Sequence, residues 1–268
     1  MHSRASILCC MALTLGLTAG TSRPAAQEPL FDVAFDFSER DDGAAPVDPA
    51  SVTDAAQVAP DQIPPAPPTW RGAVTDSLRL LMIEHSTRIA FQEKTRRELG
   101  GPFFADYRRS VKVPGTWGDG DGWMVNYVGH PIHGAAAGFI WLDHEDGAHD
   151  PSLGFSREYW SSRGRALAWA ASYSLQFEFG PMSEASIGNV GLRENTTGWV
   201  DHVVTPVGAL GFMVAEDAVD RYFVTRIERW TQNRILRAAA RIGLNPSRTL
   251  SNVAQGRWPW HRAGRGLD

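Results

Sequence analysis

Residues 123–143 are the part of the chain that most constrains its fold. The run is weakly charged, yet it carries His130 and His133 within apolar sequence. Pro131 fits the first turn of a helix, where its missing N–H is not needed, so we expect a helix that starts there with His130 at its cap. The Gly and Ala residues at 134–138 give this helix a narrow face, which a second helix can approach closely.

The N-terminus has the pattern of a secretory signal over residues 1–26. Arg4 lies in a short basic head, and the apolar core at 7–17 is too short to span a bilayer. Both cysteines, Cys9 and Cys10, lie inside this segment. The mature chain is therefore expected to lack cysteine and to depend on core burial rather than on disulfides. We predict an exported protein, located in the periplasm or in the membrane-associated cell envelope.

Composition divides the rest of the chain into three parts. Residues 27–69 are rich in Pro, Ala and Asp, contain one short strand-like segment at 28–37, and predict an extended linker without a core. Residues 70–245 predict a helical domain, and residues 246–268 a basic tail that contains Trp. We expect a mainly α protein: a compact bundle of about five helices with a disordered N-terminal tether.

Helical periodicity and stop signals place these five helices. The predicted ranges are residues 73–99, 130–143, 162–179, 199–230 with a possible break at Pro206, and 233–242. The apolar runs at 123–142, 166–179 and 199–219 each contain His, Glu or Asp or are too short to span a bilayer, so we expect the protein to lie against a membrane rather than to cross it.

Acids and imidazoles within apolar sequence are the candidate catalytic residues: His130, Glu178, Glu184 and Asp201. If they converge, they offer a general acid–base pair or metal-ligand chemistry. The alternative, which we favour, is structural: His130 caps a helix, and the acids accept hydrogen bonds from backbone donors in a tight core.

Three further polar residues, Asn126, His133 and Ser186, are assigned structural or orienting roles. His133 follows His130 by three residues but lacks the acid of the H-E-x-x-H pattern, and Asn before a helix commonly organises a turn. The sequence predicts no metal site and no cofactor.

The C-terminal region is basic, since residues 226–265 contain nine Arg and a single Glu. A helical wheel places several of these arginines in one sector opposite Ile and Ala, as in helices that lie on anionic membranes. An ordinary solvated face is the alternative. The expected partner is an anionic membrane surface or an envelope glycan, and not nucleic acid. The predicted membrane-contact residues are Arg234, Arg237, Arg241, Trp258 and Trp260.

The stretch from Asn126 to Gly134 resembles the N-Y-x-x-H-P-x-x-G opening of an uncharacterised family of bacterial envelope proteins that share a domain of unknown function. Later pieces of that family's pattern are matched more weakly, over about residues 122–222. The matching positions are Ser172, Tyr173 and Glu178 in a helix, then Glu184, then Ser186 in a turn, then the segment 201–208.

The chain also departs from this family pattern. Residues 190–198 look inserted, and Phe212 follows Gly211 where the family has Glu, although Glu216 lies one turn later. The resemblance implies an envelope location and a helical domain, and it supplies no mechanism.

Three functions are compatible with these patterns. The leading one is an exported structural or binding protein that associates with a membrane surface. The second is a hydrolase that acts on envelope lipid or glycan, using His130 with Glu178, Glu184 or Asp201. The third is a lipid-binding module whose aromatic core opens to admit an acyl chain.

Overall fold

The computed structural model describes residues 69–91, 93–99, 101–111, 115–145, 153–187 and 198–267. The predicted signal at 1–26, the predicted linker at 27–69 except Thr69, and the stretch 190–198 except Gly198 lie outside these residues. The described part is mainly helical, as predicted, and its only strand-like pairing is a single bridge between Thr116 and Gly198.

The helices follow one another along the chain in this order. They are α1 Trp70–Phe91, α2 Glu93–Glu98, α3 Phe103–Ser110, α4 His130–Glu145, α5 Arg157–Phe179, α6 Trp199–Val219, α7 Thr225–Trp230, α8 Arg234–Leu244 and α9 Pro246–Ala254. π-Helical turns at Val125–Gly129 and Asp220–Val224 precede α4 and α7. The predicted number of about five helices is matched only roughly, because each π-turn joins two helical segments and several short helices were not predicted.

Helix α4 lies at the centre and packs against α1, α5, α6 and α9. Its Gly and Ala residues form the narrow face that the sequence predicts. A Cβ on Gly134 would lie 2.9 Å from the Cβ of Ala209, and one on Gly138 would lie 2.6 Å from the Sδ of Met213. From the other side, a Cβ on Gly208 would meet the Pro131 ring at 2.6 Å. Helices α4 and α6 therefore approach each other more closely than larger side chains would allow.

The start of α4 differs from the prediction. His130 does not cap the helix, because residues 123–129 are already helical and the π-turn Val125–Gly129 runs directly into α4. The His130 N–H bonds to the carbonyl of Val125, five residues earlier. A widened turn relieves the clash that the Pro131 ring would otherwise make with the carbonyl four residues before it.

Aromatic side chains fill the layer between α1, α4 and α5. The Trp141 ring stacks on Trp169 at 5.0 Å and meets the edge of Trp70 at 4.7 Å. Trp169 also donates its indole N–H to Ser77 Oγ at 3.1 Å. Leu80 and Leu81 are fully buried in the adjoining layer. These contacts hold the inward face of α1 against the central helix.

Helix α6 is not broken at Pro206. Among the described residues, the continuous helical stretch Trp199–Trp230 is the one that is long and apolar enough to cross a bilayer, and 33% of its most apolar window is buried inside the protein. Two of its acids, Glu216 and Asp217, are buried near the end of α6 and accept hydrogen bonds from other residues of the chain.

Residues beyond 245 are packed onto the helical domain. Glu216 accepts hydrogen bonds from the N–H groups of Ser247 at 2.7 Å and Arg248 at 3.1 Å, which satisfies donors in the first turn of α9. After α9, the side-chain amide of Asn252 donates to the carbonyls of Pro259 and His261. The segment that the sequence describes as a tail therefore begins with a helix of the core.

Candidate functional site

Three candidate residues converge at one end of the central helix. One nitrogen of His130 and one carboxyl oxygen each of Glu178 and Asp201 lie within 4.8 Å of one another, and all three residues are buried. We call these residues the acid–histidine centre. His130 begins α4, Glu178 lies in the last turn of α5, and Asp201 lies in the first turn of α6. The close approach of α4 and α6 brings Asp201 to His130.

The imidazole of His130 faces two groups of α6. Its Nδ1 lies 3.4 Å from Asp201 Oδ1 and 3.5 Å from Thr205 Oγ1. Burial lowers the pKa of His130 to about 3, with smaller contributions from His133 and Arg88. His130 is therefore neutral near pH 7, and its contact with Asp201 is not an ion pair.

The two carboxyl groups of the centre have raised pKa values. Burial raises the pKa of Glu178 to about 7; Arg88 opposes this, and Asp119 and Asp121 add to it. Burial, with smaller contributions from the carboxylates of Glu178, Asp119 and Asp121, raises the pKa of Asp201 to about 9. In the absence of a bound cation, the pair keeps at least one proton at neutral pH, because like charges at short range cannot both ionise in a dry site.

Arg88 of α1 is the cation that these acids share. It forms an ion pair with Glu184. It also interacts electrostatically with Glu84, Glu178 and Asp201. Its guanidinium lies over the Phe177 ring at 5.5 Å. Glu184, a predicted catalytic residue, is therefore the ion-pair partner of Arg88, next to the acid–histidine centre rather than part of it.

Asn126 organises a turn that reaches the centre. Its side-chain N–H donates to Asp119 Oδ1 at 2.6 Å, and the backbone N–H of Asp121 donates to the same oxygen at 3.1 Å. A side-chain hydrogen bond between Asp119 and Asp201 is one of the smaller causes that raise the pKa of Asp201. Gly120 adopts a φ of 90°, which favours glycine in this turn. This turn thus lies against a carboxyl group of the site.

His133 and Ser186 lie outside the centre. His133 is half-buried, and its Nδ1 lies 3.5 Å from Glu84 Oε1. The second oxygen of Glu84 accepts a hydrogen bond from the Tyr173 hydroxyl at 2.7 Å. Ser186 donates to the carbonyl of Ser183 at 2.8 Å, which closes the turn after α5. These contacts hold the surrounding elements together, and the orienting roles of His133 and Ser186 remain predictions.

The sequence reasoning missed Glu84, Arg88 and Asp119. A signal for the first two was present: Glu84 and Arg88 continue, at helical spacing, the face of α1 that buries Leu81. Charged residues on the apolar face of a helix indicate buried partners, because unpaired charges are rarely buried. Asp119 had no comparable signal, since Asp and Gly in alternation are typical of any turn.

The predicted membrane-contact residues do not share one environment. Arg234 is exposed, Arg237 is half-buried, and Trp258 is 57% exposed and stacks on Trp260 at 5.0 Å. Arg241 was wrongly placed at the surface: its Nε donates to Glu228 Oε1 at 2.6 Å, and it is 1% exposed. A helical wheel gives the direction of a side chain but not what packs over it. The Arg241 side chain is covered by α7 and by the residues around Trp260.

An open groove of about 860 Å³ lies between α8 and the C-terminal segment. Arg234, Ile235, Trp258 and Trp260 are among the residues that line it. Ile235 is 79% exposed and the neighbouring Leu236 is 50% exposed. We call Arg234, Ile235, Leu236, Arg237 and Trp258 the basic aromatic surface. It places exposed apolar side chains beside guanidinium groups.

The two regions offer different chemistry. The acid–histidine centre combines a neutral imidazole with two carboxyl groups of raised pKa, a set that can transfer protons or ligate a cation. The basic aromatic surface offers positive charge and apolar area to a large anionic partner.

No known protein family, curated protein or solved structure matches the chain.

Proposed function

We propose that this chain is an exported envelope protein of a structural or binding kind, which rests on an anionic membrane surface through its basic aromatic surface. The observation that carries the proposal is the exposure of Ile235, Leu236 and Trp258 beside Arg234. Apolar side chains of this kind enter the headgroup layer while guanidinium groups remain at the phosphates. Each basic residue near such a surface contributes about 1 kcal/mol.

The N-terminal pattern supports the same location. A secretory signal at 1–26 would export the chain, and a linker at 27–69 would tether a helical bundle to whatever its first residues contact. The surface-lying arrangement also agrees with the acids buried along the stretch Trp199–Trp230, because ionisable groups are costly within a bilayer.

Vesicle co-sedimentation tests the membrane proposal. The full chain is mixed with phosphatidylglycerol vesicles and with phosphatidylcholine vesicles at low and at physiological salt. We expect binding to the anionic vesicles that weakens as salt rises. The double variant Arg234→Glu/Arg237→Glu should bind at least about tenfold more weakly, because two attractive contacts become repulsive.

A matched control comes from α1, where Arg71 and Arg79 are also exposed. The double variant Arg71→Glu/Arg79→Glu carries the same change of charge and should bind as the unchanged chain does. Equal losses in both double variants would contradict the proposal, since attraction would then depend on net charge alone. Binding to an anionic polysaccharide but to neither kind of vesicle would make an envelope glycan the partner instead.

A hydrolase that acts on envelope lipid or glycan is the second candidate. The observation that favours it is the convergence of His130, Glu178 and Asp201, since a neutral imidazole beside carboxyl groups is a general acid–base arrangement. Envelope lipid and glycan fractions are incubated with the chain and with its His130→Gln variant, and products are followed by mass spectrometry. A product formed by the first and not by the second would support this candidate, and the absence of any product would exclude it.

A further inference from the structure

The acid–histidine centre has too little positive charge. Within the described residues, four buried carboxyl groups, those of Glu84, Glu178, Glu184 and Asp201, share the single guanidinium of Arg88. Arg88 is engaged most closely by Glu184. Burying a carboxylate is expensive unless a cation or a proton neutralises it. Glu178 and Asp201 therefore require either bound protons or a second cation.

The spacing of the groups fits a metal ion. Two ligand atoms that each lie about 2.1 Å from a tetrahedral Zn²⁺ are about 3.4 Å apart. The distance from His130 Nδ1 to Asp201 Oδ1 is 3.4 Å, and all three ligand atoms lie within 4.8 Å of one another.

Two buried oxygens at this end of α4 lack hydrogen-bond partners. Asp201 Oδ1, whose side chain is 6% exposed, is aimed at His130 and accepts no hydrogen bond. Asn126 Oδ1 is also buried without a hydrogen bond. An orphaned buried acceptor costs about 1–3 kcal/mol of stability. A cation between His130 and Asp201 would satisfy the first of these oxygens directly.

A supporting shell for the ligands is present. Asp119 contacts Asp201 and is itself held by Asn126 at 2.6 Å. An outer partner such as Asp119 orients a metal-ligating carboxylate.

The geometry points to a divalent metal site in which His130, Glu178 and Asp201 bind Zn²⁺ or a closely similar first-row ion. One imidazole nitrogen and two carboxylate oxygens are ligands that Zn²⁺ accepts, and three protein ligands leave a fourth position for water. Ca²⁺ and Mg²⁺ prefer oxygen-only sites with six or more ligands. Both carboxyl groups would bind the ion as carboxylates. This inference does not depend on the proposed membrane contact.

Cobalt spectroscopy tests the site in the unaltered chain. The full chain is treated with a chelator, dialysed and titrated with Co²⁺, whose visible absorption reports an ordered coordination sphere. We expect saturable bands at one Co²⁺ per chain that disappear when one equivalent of Zn²⁺ is added. A chain that develops no bands and retains no Zn²⁺ after gel filtration would overturn the inference without any variant.

Variants then assign the ligands. Glu178→Gln and Asp201→Asn keep the shapes of the side chains and remove their charges, and each should weaken Zn²⁺ binding at least a hundredfold. Asn126→Ala, which removes an orienting contact, should weaken it tenfold to a hundredfold. Circular dichroism establishes that each variant is folded. If the ligand variants unfold, Asn126→Ala and the cobalt spectrum of the unaltered chain decide the matter.

A second histidine–aspartate pair provides the control. His144 Nε2 lies 2.9 Å from Asp76 Oδ2, and neither residue belongs to the centre. His144→Gln and Asp76→Asn should leave Zn²⁺ affinity within twofold of the original. Unchanged affinity in Glu178→Gln and Asp201→Asn would show that the metal binds elsewhere on the surface, and would overturn the assignment.

Discussion

Two aspartates on helix α6 are both buried, yet their surroundings are opposite. Asp217 accepts hydrogen bonds from the Tyr159 hydroxyl at 2.7 Å and from Arg163 at 2.7 and 2.9 Å, and it also pairs with Arg248. Asp201, in the first turn, lies among other carboxyl groups and has a raised pKa. The first carboxylate is neutralised by the fold itself. The second is neutralised by a proton or a ligand, which is the usual mark of a binding or catalytic position.

Substitution of Arg163, which neutralises Asp217, should have the largest effect on stability. Arg163→Met leaves Asp217 with fewer donors in a buried position, so the free energy of unfolding should fall by about 3–5 kcal/mol. Denaturant unfolding measures it. Arg79, which is 59% exposed and pairs with Asp76, is the control: Arg79→Met should cost about 1 kcal/mol or less. Equal losses in the two variants would show that burial does not distinguish these pairs.

The same substitution at the two aspartates should act in opposite directions. The folded pKa of Asp201 lies near 9, above its ordinary value of 3.8, so the protein takes up a proton on folding and loses stability as pH rises between these values. Asn does not titrate. Asp201→Asn should therefore stabilise the metal-free protein by about 1–3 kcal/mol at pH 8 and by little at pH 4.

Asp217→Asn should instead destabilise the protein at pH 8, because it removes a charge that Arg163 and Arg248 require. Unfolding curves at pH 4, 6 and 8 compare the two variants. Destabilisation by both at pH 8 would mean that the Asp201 carboxylate is already neutralised by a cation in the isolated protein. Chelator treatment would then restore the predicted gain.

A smaller effect is expected where the helices meet between the two aspartates. Gly134→Ala would place a Cβ 2.9 Å from both Ala209 Cβ and the Thr205 carbonyl, and should cost about 1–3 kcal/mol through overpacking. Gly164→Ala on α5 meets nothing within 4 Å and should stabilise by up to about 1 kcal/mol. Thermal unfolding of the two variants gives the comparison. A neutral Gly134→Ala would show that α6 can move away from α4 at little cost.

The sequence predicted the residues of the site better than their environment. His130, Glu178 and Asp201 were identifiable because each interrupts apolar helical sequence, and the small residues at 134–138 indicated the close helix contact. Their convergence depends on three helices that are distant in sequence, which periodicity does not report. The hydrogen bonds of Asp119 and the position of Arg88 depend on the same packing.

In the C-terminal region, the sequence predicted the wrong surroundings for Arg241 and missed a helix. The arginines of α8 predicted one continuous basic face, but Arg241 binds Glu228, and α9 begins where the tail was expected. Residues 246–254 carry Ser, Thr and Asn rather than a long apolar stripe, so their helical packing depends on Glu216 of α6. The composition of residues 246–254 alone cannot predict a partner as distant in sequence as Glu216.

The widened turn at Val125–Gly129 has a consequence for how this chain can vary. Each residue of an ordinary α-helix advances the side chains by about 100°. Deleting one residue from this turn would restore regular winding and swing Asn126 and everything before it around the axis relative to His130. Asp119 would then lose its amide donor, while α4 itself stayed in place. Inserting or deleting one residue should therefore reduce stability far more in this turn than in α8, although both segments are partly exposed to solvent.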